Sequence, residues 1–504
     1  GISLTQPPNC PRRRDHLSLP SFLEQSWPTW LLMACAIGAW LFLHHIELSH
    51  DLHWQFWIAR QILGGSRLYV EIWELNPPLW FWSAIPLQWL AQFTGVAWQS
   101  LLIAEVLALG AASAWLVARL IEPHRATDRA TLMLAQFWII TIIPLADIGQ
   151  REHLALITSL PYAALIARRS EGASVSWPIV IIVGVLSGYG FALKHYFALI
   201  PLALEWWLFM KFRRDWRPVR TETVILAVLA LSYAASIALI APEFFTVMVP
   251  MVRIAYDSYN SSFLALITQP WPMFWLASIA FLYLVRPAAA RIEAIMQRAF
   301  FQALMIVASA FALAYFVQKK GWYYHSLPAN GALALGLALV LIPIRDVRDF
   351  RLWIGLMLLA LPTSTLLTPR PASHPIARIS EQLLGDVPAG KTVFVATTAP
   401  RLAWPIVEQR DLVWPSRAFV LWMLPAVAKA EVSGHTTPEL KRLANKVLKA
   451  NSFDIRCHPP ERIIFQRMPL ASQGDTAFLM RDFLLRDTPL RNFIEQHYIL
   501  RPSP

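Results

Sequence analysis

The chain has 504 residues, 56% hydrophobic and only 15% charged; soluble domains carry about 25% charge, so a wholly soluble protein is excluded. A formal net charge of +12 would suit a nucleic-acid binder, but the placement of the basic residues points to a membrane instead. Cys10, Cys35 and Cys457 are scattered and have neither a disulfide framework nor zinc-ligand spacing.

Mean hydropathy is +0.45. Apolar runs recur at 27–44, 77–93, 97–121, 131–146, 153–167, 177–193, 196–210, 223–241, 271–285, 299–317, 326–343 and 350–367. Most approach the ~20 residues that a helix needs to cross the hydrocarbon core. They show no alternation of period two, so helices, not a barrel, satisfy the backbone in lipid. Arg12-Arg13-Arg14 ahead of the first run looks like the start of a signal peptide. No small-residue cleavage site follows, so a retained first helix is expected.

Lys and Arg accumulate on the cytoplasmic side of such spans. Six basic clusters stand out: Arg12–Arg14, Arg119/Arg125/Arg129, Arg168/Arg169, Lys211/Arg213/Arg214/Arg217/Arg220, Arg286/Arg291/Arg298 and Arg345/Arg348/Arg351. If every run crossed, the clusters from Arg119 onward would lie outside. The run 77–93 opens on Pro77-Pro78 and contains Pro86. Read as a helix lying in or dipping into the outer leaflet, it leaves all six clusters, nineteen residues, inside. Only Arg60, Arg67, Arg151, Lys194, Arg253, Lys319 and Lys320 remain on outer loops.

The expected fold class is mostly α, a polytopic membrane protein with about eleven transmembrane helices. Its expected parts are a cytoplasmic segment 1–26, a membrane domain 27–367 with a first outer loop 45–96, and a tail 368–504. The tail is polar; short apolar runs at 392–396 and 462–466 interleave with helical patterns near 436–450 and 475–485. A soluble α/β domain on the outer side is expected there.

This topology gathers the unusual polar residues on the outer side. The first outer loop carries His44, His45, Glu47, His50 and Asp51, an amphipathic stretch 52–63, Gly64-Gly65, then Tyr69, Glu74 and Pro77-Pro78-Leu79. The second is short and polar: Asp147, Gln150, Arg151, Glu152, His153. The third is Lys194-His195-Tyr196; the fourth holds Arg253, Tyr256, Asp257 and Tyr259; the fifth runs Lys319-Lys320-Gly321-Trp322-Tyr323-Tyr324-His325. Ionisable groups at helix ends facing a bundle interior are functional candidates. Carboxylates can act as bases or metal ligands; Arg, Lys and His suit phosphate. Plainer readings stand beside these. Asp51 could cap the helix after it. Arg151 could pair with Glu152 or Asp147. Lys194 could snorkel, and Lys319, Lys320 and His325 could sit among lipid headgroups. The 23 tryptophans suit interfacial belts, and His44, His45 and His50 lack metal-ligand spacing.

An Asp-led helix, a Gly, a Tyr and a Glu shortly before Pro-Pro-Leu (here Asp51, Gly64 or Gly65, Tyr69, Glu74 and Pro77-Pro78-Leu79) resembles the GT-C glycosyltransferases. The likeness is to the branch of protein O-mannosyltransferases and lipid A aminoarabinose transferases. Leu75 and Asn76 separate Glu74 from the prolines, where the aminoarabinose transferases have one residue. The resemblance covers about 27–367 and implies two juxtamembrane helices in the first outer loop, the second starting at Pro-Pro-Leu.

It further implies an enzyme of the bacterial inner membrane with a periplasmic active site. Such an enzyme moves a sugar from a polyprenyl-phosphate donor to a hydroxyl of a lipid, glycan or protein, usually with inversion. Asp51 is then the expected general base and Asp147 a second carboxylate. Arg151, Lys194, Lys320 and His325 are expected at the donor phosphate. Tyr69, Glu74, Gln150, Glu152, His153, His195, Tyr256 and Tyr324 are expected at the substrates, with Glu74 a candidate ligand should a divalent metal ion take part. A transporter or flippase predicts polar residues through the midplane and an internal repeat, and neither is visible. An O-antigen-ligase-like enzyme predicts Arg and His in a large late outer loop, and a scaffold leaves charged helix ends unexplained. No nucleic-acid partner is expected.

Overall fold

A computed structural model describes residues 21–285, 294–342 and 375–501, with Ile354, Leu356 and Met357 besides. Eleven of the twelve apolar runs are helical. In chain order the helices are α1 (Ser21–Leu43), α2 (His50–Leu63), α3 (Leu79–Thr94), α4 (Trp98–Ile121), α5 (Ala126–Ile142), α6 (Arg151–Ser170) and α7 (Trp177–Ala192). There follow α8 (Leu199–Phe212), α9 (Thr221–Ile240), α10 (Val249–Ala255), α11 (Phe263–Ile267), α12 (Pro270–Val285), α13 (Ala299–Gln318) and α14 (Leu327–Leu341). The run 350–367, apart from Ile354, Leu356 and Met357, and the basic residues at 12–14, 286, 291, 345, 348 and 351 lie outside the described residues.

Among the described residues, five helical segments are long and apolar enough to cross a membrane: Ser26–Leu43, Trp98–Ile121, Thr221–Ile240, Ala299–Gln318 and Tyr323–Leu341; Trp177–Ala192 and Pro270–Val285 are apolar but shorter. Their outward faces settle the class. Helix α9 buries only Glu222 and Ile237, while Leu231 and Leu239 are 71% and 83% exposed. Each such leucine left in water forgoes about 1.5–3 kcal/mol of burial, so these faces belong in lipid. The chain is a multi-pass membrane protein.

Helix α6 is the opposite case. It is buried along nearly its whole length and packs against α4, α7, α8, α13 and α14. At its C-terminal end, Arg169 Nε donates to Glu222 at 2.9 Å, Arg220 joins Glu222 and Glu205, and Arg168 pairs with Glu122 and Glu171. Its N-terminal end carries Arg151, Glu152 and His153. The basic clusters described around α6 therefore meet at one end of the bundle and the polar outer loops at the other. Helix α7 reaches α6 closely at Gly190. A Cβ there would run into Thr158 Oγ1 and lie 3.5 Å from Ala155 Cα. Thr158 Oγ1 donates to the Leu154 carbonyl at 2.9 Å, so moving aside costs that bond. Gly190→Ala is expected to lower the detergent-solubilised melting temperature by several degrees, the effect of about 1–3 kcal/mol of overpacking.

The first outer loop forms two helices, with Pro78 as the N-cap of α3. Gly65, at φ 97°, adopts the left-handed turn after α2 that a side chain would disfavour. Gln55 Nε2 donates to the Trp80 carbonyl at the start of α3, and Trp98, just beyond the end of α3, stacks on Phe56 at 4.1 Å. Both flanks of α3 thus return to one turn of α2.

In the tail, β1 (Val393–Ala396) and β2 (Arg462–Phe465) pair in parallel, and helix Pro438–Cys457 precedes β2. The segment 475–485, expected to be helical, begins instead with a hairpin. Strand β3 (Ala471–Gln473) pairs antiparallel with β4 (Thr476–Phe478), and helix Met480–Leu484 follows. Gly474 at φ 58° supplies the positive φ that a two-residue hairpin loop demands. The tail is clasped to the first outer loop. His53 Nδ1 and Trp98 Nε1 bond Glu408 at 2.8 and 2.9 Å, Arg60 pairs with Asp411 at 3.2 Å, and the Trp73 amide donates to the Arg417 carbonyl at 2.6 Å.

Candidate active site

At the end of the bundle where the outer loops meet lies a cavity of about 1360 Å³. Residues from all five polar loops line it, and so do residues of the tail.

Ser49 is the N-cap of α2, and the helix begins at His50. Asp51 is therefore inside the first turn and is not the cap. Its carboxylate accepts from Gln150 Nε2 at 3.1 Å, lies 3.3 Å from His50 Nε2 and keeps 19% of its side-chain surface open. Ser49 ties the first loop to the second: its amide donates to the Ala146 carbonyl, and its hydroxyl accepts from Gln150. Asp147 ends a short 3-10 turn, Leu145–Asp147, on the same wall.

Arg151 opens α6 and is 4% exposed, with its guanidinium carbon 4.8 Å from the centre of the Trp80 ring. Its Nε and Nη1 have no hydrogen-bond partner. A buried guanidinium with idle donors on a cavity wall is a ready anion site, because pairing it recovers the cost of stripping water from it. Asp51, Glu74, Glu152 and Tyr324 lie within its electrostatic reach.

Lys194, just past the end of α7, donates to Glu152 Oε1 at 2.5 Å and Gln318 Oε1 at 3.2 Å, and its Nζ lies 3.2 Å from His325 Nε2. Lys320 donates to the Tyr256 carbonyl at 2.8 Å and Asn260 Oδ1 at 2.7 Å, with its ammonium 4.0 Å from the centre of the Tyr256 ring. Burial lowers both lysines to about 8, outweighing Glu152 beside Lys194 and Asp257 near Lys320. His195, Tyr256, Tyr324 and His325 also face the cavity.

Four expected residues are held differently. Glu74 lines the cavity, but both its oxygens are engaged: Trp54 Nε1 donates at 2.7 Å, and Asn76 donates through its amide at 2.8 Å and its side chain at 2.7 Å. Among the described residues, no three His, Cys, Asp or Glu side chains group as a metal site. Tyr69, at φ 70°, is not among the lining residues; its hydroxyl donates to the Asn76 carbonyl at 2.6 Å. Glu152 is fully buried behind the wall under Lys194. His153 is also behind the wall: its Nδ1 accepts from the Gly149 amide, so Nε2 carries the proton and donates to the Ile140 carbonyl at 2.7 Å. That makes His153 a staple between the second loop and α5.

Sequence reasoning missed the tail. Arg401, Trp404, Phe419 and Trp422 line the cavity, and Trp404 and Phe419 pack on Trp54 of α2 at 5.2 and 4.9 Å. The aromatic-rich stretch 414–422 was the available signal; within it Arg417 is not at the cavity but pairs with Asp454 at 3.2 Å and lies 5.9 Å from the centre of the Trp73 ring. The cavity continues from its charged end to an apolar side made by Phe81, Ala230, Tyr233, Ala234, Ile237, Phe244 and Val249, beside the lipid-facing α9.

No family model matches the chain, and no curated protein matches it. Among solved structures, the chain is similar to the crystal structure of ArnT from Cupriavidus metallidurans bound to undecaprenyl phosphate. The two are 16% identical, the match covers 83% of this chain and 91% of that one, and the TM-score is 0.48.

Proposed function

We propose that the protein is a membrane glycosyltransferase that takes a sugar from a polyprenyl-phosphate donor and passes it to a hydroxyl of a lipid, glycan or protein acceptor at the periplasmic face. The observation that carries this reading is one cavity joining three things: a partly open carboxylate, a buried guanidinium with unpaired donors, and an apolar side next to lipid. An isoprenoid chain suits the apolar side, and the donor phosphate suits Arg151.

In this reading Asp51 takes the proton of the acceptor hydroxyl as its oxygen forms a bond to the anomeric carbon. The bond from that carbon to the phosphate oxygen breaks, and the polyprenyl phosphate leaves with the added negative charge. Arg151 and Lys194 stabilise that charge where it develops. Attack opposite the leaving group inverts the anomeric centre. Asp51 suits the base role better than its neighbours: Glu74 is occupied by three donors, and Glu152 does not reach the cavity. Asp147 would orient the acceptor.

The test is purified protein in nanodiscs with a panel of polyprenyl-phosphate sugars and envelope extract, reading release of free polyprenyl phosphate. Acceptor-dependent release from one donor supports the reading; no release from any donor, together with no binding of polyprenyl phosphate, overturns it. A pH signature is also expected. Lys194 and Lys320 titrate near 8, so their charge is present at pH 7 and lost as pH rises through that value. Affinity for the singly charged donor is expected to fall as pH rises from 7 to 9.5, read as a rising KM, while Arg151 stays charged throughout.

A further inference from the structure

Three tail residues, Arg401, Phe419 and Trp422, line the same cavity as Arg151. Trp422 is 4% exposed, and its indole Nε1–H has no hydrogen-bond partner. Its ring meets Tyr256 edge-on at 6.2 Å, and Tyr256 is within electrostatic reach of Asp51. Phe419 stacks on His50 at 5.9 Å, next to Asp51 in sequence. Arg401 lies within electrostatic reach of His50 as well, and its carbonyl is fixed by the Ser380 hydroxyl at 2.8 Å. The tail thus reaches the surroundings of the base through His50 and Tyr256. It brings an aromatic surface, a buried idle donor and a cation.

A buried N–H with no partner costs free energy unless a ligand satisfies it. An indole face with its N–H at the edge suits a sugar ring, whose C–H face stacks while a hydroxyl accepts. A guanidinium nearby suits a carboxylate or phosphate on that sugar. Resting on the glycosyltransferase reading, we propose that the tail builds the acceptor subsite: Trp422 and Arg401 hold a sugar acceptor bearing an anionic group, with its hydroxyl at Asp51 and the donor phosphate at Arg151. The tail is then part of the active site, whose cavity it helps to line.

The test uses the full chain in nanodiscs loaded with polyprenyl phosphate. Binding of methyl glucoside, methyl glucuronide and methyl glucoside 6-phosphate is measured by calorimetry for the wild type, Arg401→Gln and Trp422→Phe. The wild type is expected to bind at least one anionic sugar about ten-fold tighter than the neutral one, the size of one charge-assisted hydrogen bond. Which anionic sugar wins separates a uronate from a phosphate source. Arg401→Gln is expected to erase that preference while leaving polyprenyl phosphate affinity unchanged. Trp422→Phe keeps the ring, loses the N–H, and is expected to weaken all the sugars several-fold. No anionic preference in the wild type, or one that survives Arg401→Gln, overturns the proposal. Loss of polyprenyl phosphate binding in Arg401→Gln also overturns it, by assigning Arg401 to the donor. Polyprenyl phosphate binding by the wild type reports separately on the donor reading.

Discussion

Asp51→Asn is expected to lower sugar transfer by about 10³-fold, the range in which loss of a general base falls, with polyprenyl phosphate affinity nearly unchanged. The amide is the same size as the carboxylate, and its oxygen can still accept from Gln150 Nε2, which now bonds Asp51 at 3.1 Å. The end of α2 and the link between the first two loops therefore survive the change. What disappears is an anionic oxygen able to take the acceptor's proton. A loss in kcat with KM for the donor preserved is the signature of an interaction made in the transition state. Transfer that persists in Asp51→Asn would move the base to Asp147, a half-buried carboxylate that also lines the cavity. The same measurement on Asp147→Asn then decides between them.

Arg151→Lys is expected to weaken polyprenyl phosphate binding about 10- to 100-fold, the loss of one or two charge-assisted hydrogen bonds. The substitution keeps the charge but not the fork. In the wild type the guanidinium carbon lies 4.8 Å from the centre of the Trp80 ring, and Nε and Nη1 have no protein partner. An ammonium cannot stack in this way or present two parallel donors. Because the charge stays, the balance with Asp51, Glu74 and Glu152 is kept, and a fall in affinity reports on geometry rather than on a collapsed site. Unchanged affinity would place the donor phosphate elsewhere, with Lys320 the next cation on the wall.

What could be read from the chain follows from which properties are local. Hydropathy sums over some twenty neighbouring residues, and the charge bias acts on the loop where the charge sits. The class of protein was therefore legible, as were the helical character of the described apolar runs and the start of α3 at Pro78–Leu79. The gathering of Asp51, Arg151, Lys194, Lys320 and His325 at one end was legible for the same reason, since topology alone assigns those loops to one side. Local signals were weaker in the tail: the stretch 475–485, expected to be helical, is strand at Thr476–Phe478 and helix only at Met480–Leu484.

Only the tertiary structure decided which of the gathered residues meet the cavity. Arg151, Glu152 and His153 are consecutive, and a helix turns about 100° per residue. Arg151 faces the cavity, Glu152 turns under Lys194 and His153 turns toward α5. Sequence spacing cannot choose among those directions when the helix is buried on every side. Glu74 faces the cavity yet has its oxygens filled by Trp54 and Asn76, a matter of loop closure that no pattern records. The tail is the clearest case. His53 and Glu408 are 355 residues apart in sequence and 2.8 Å apart in space. That contact, with the wall of Arg401, Phe419 and Trp422 behind it, comes from chain closure over a distance on which local periodicity is silent.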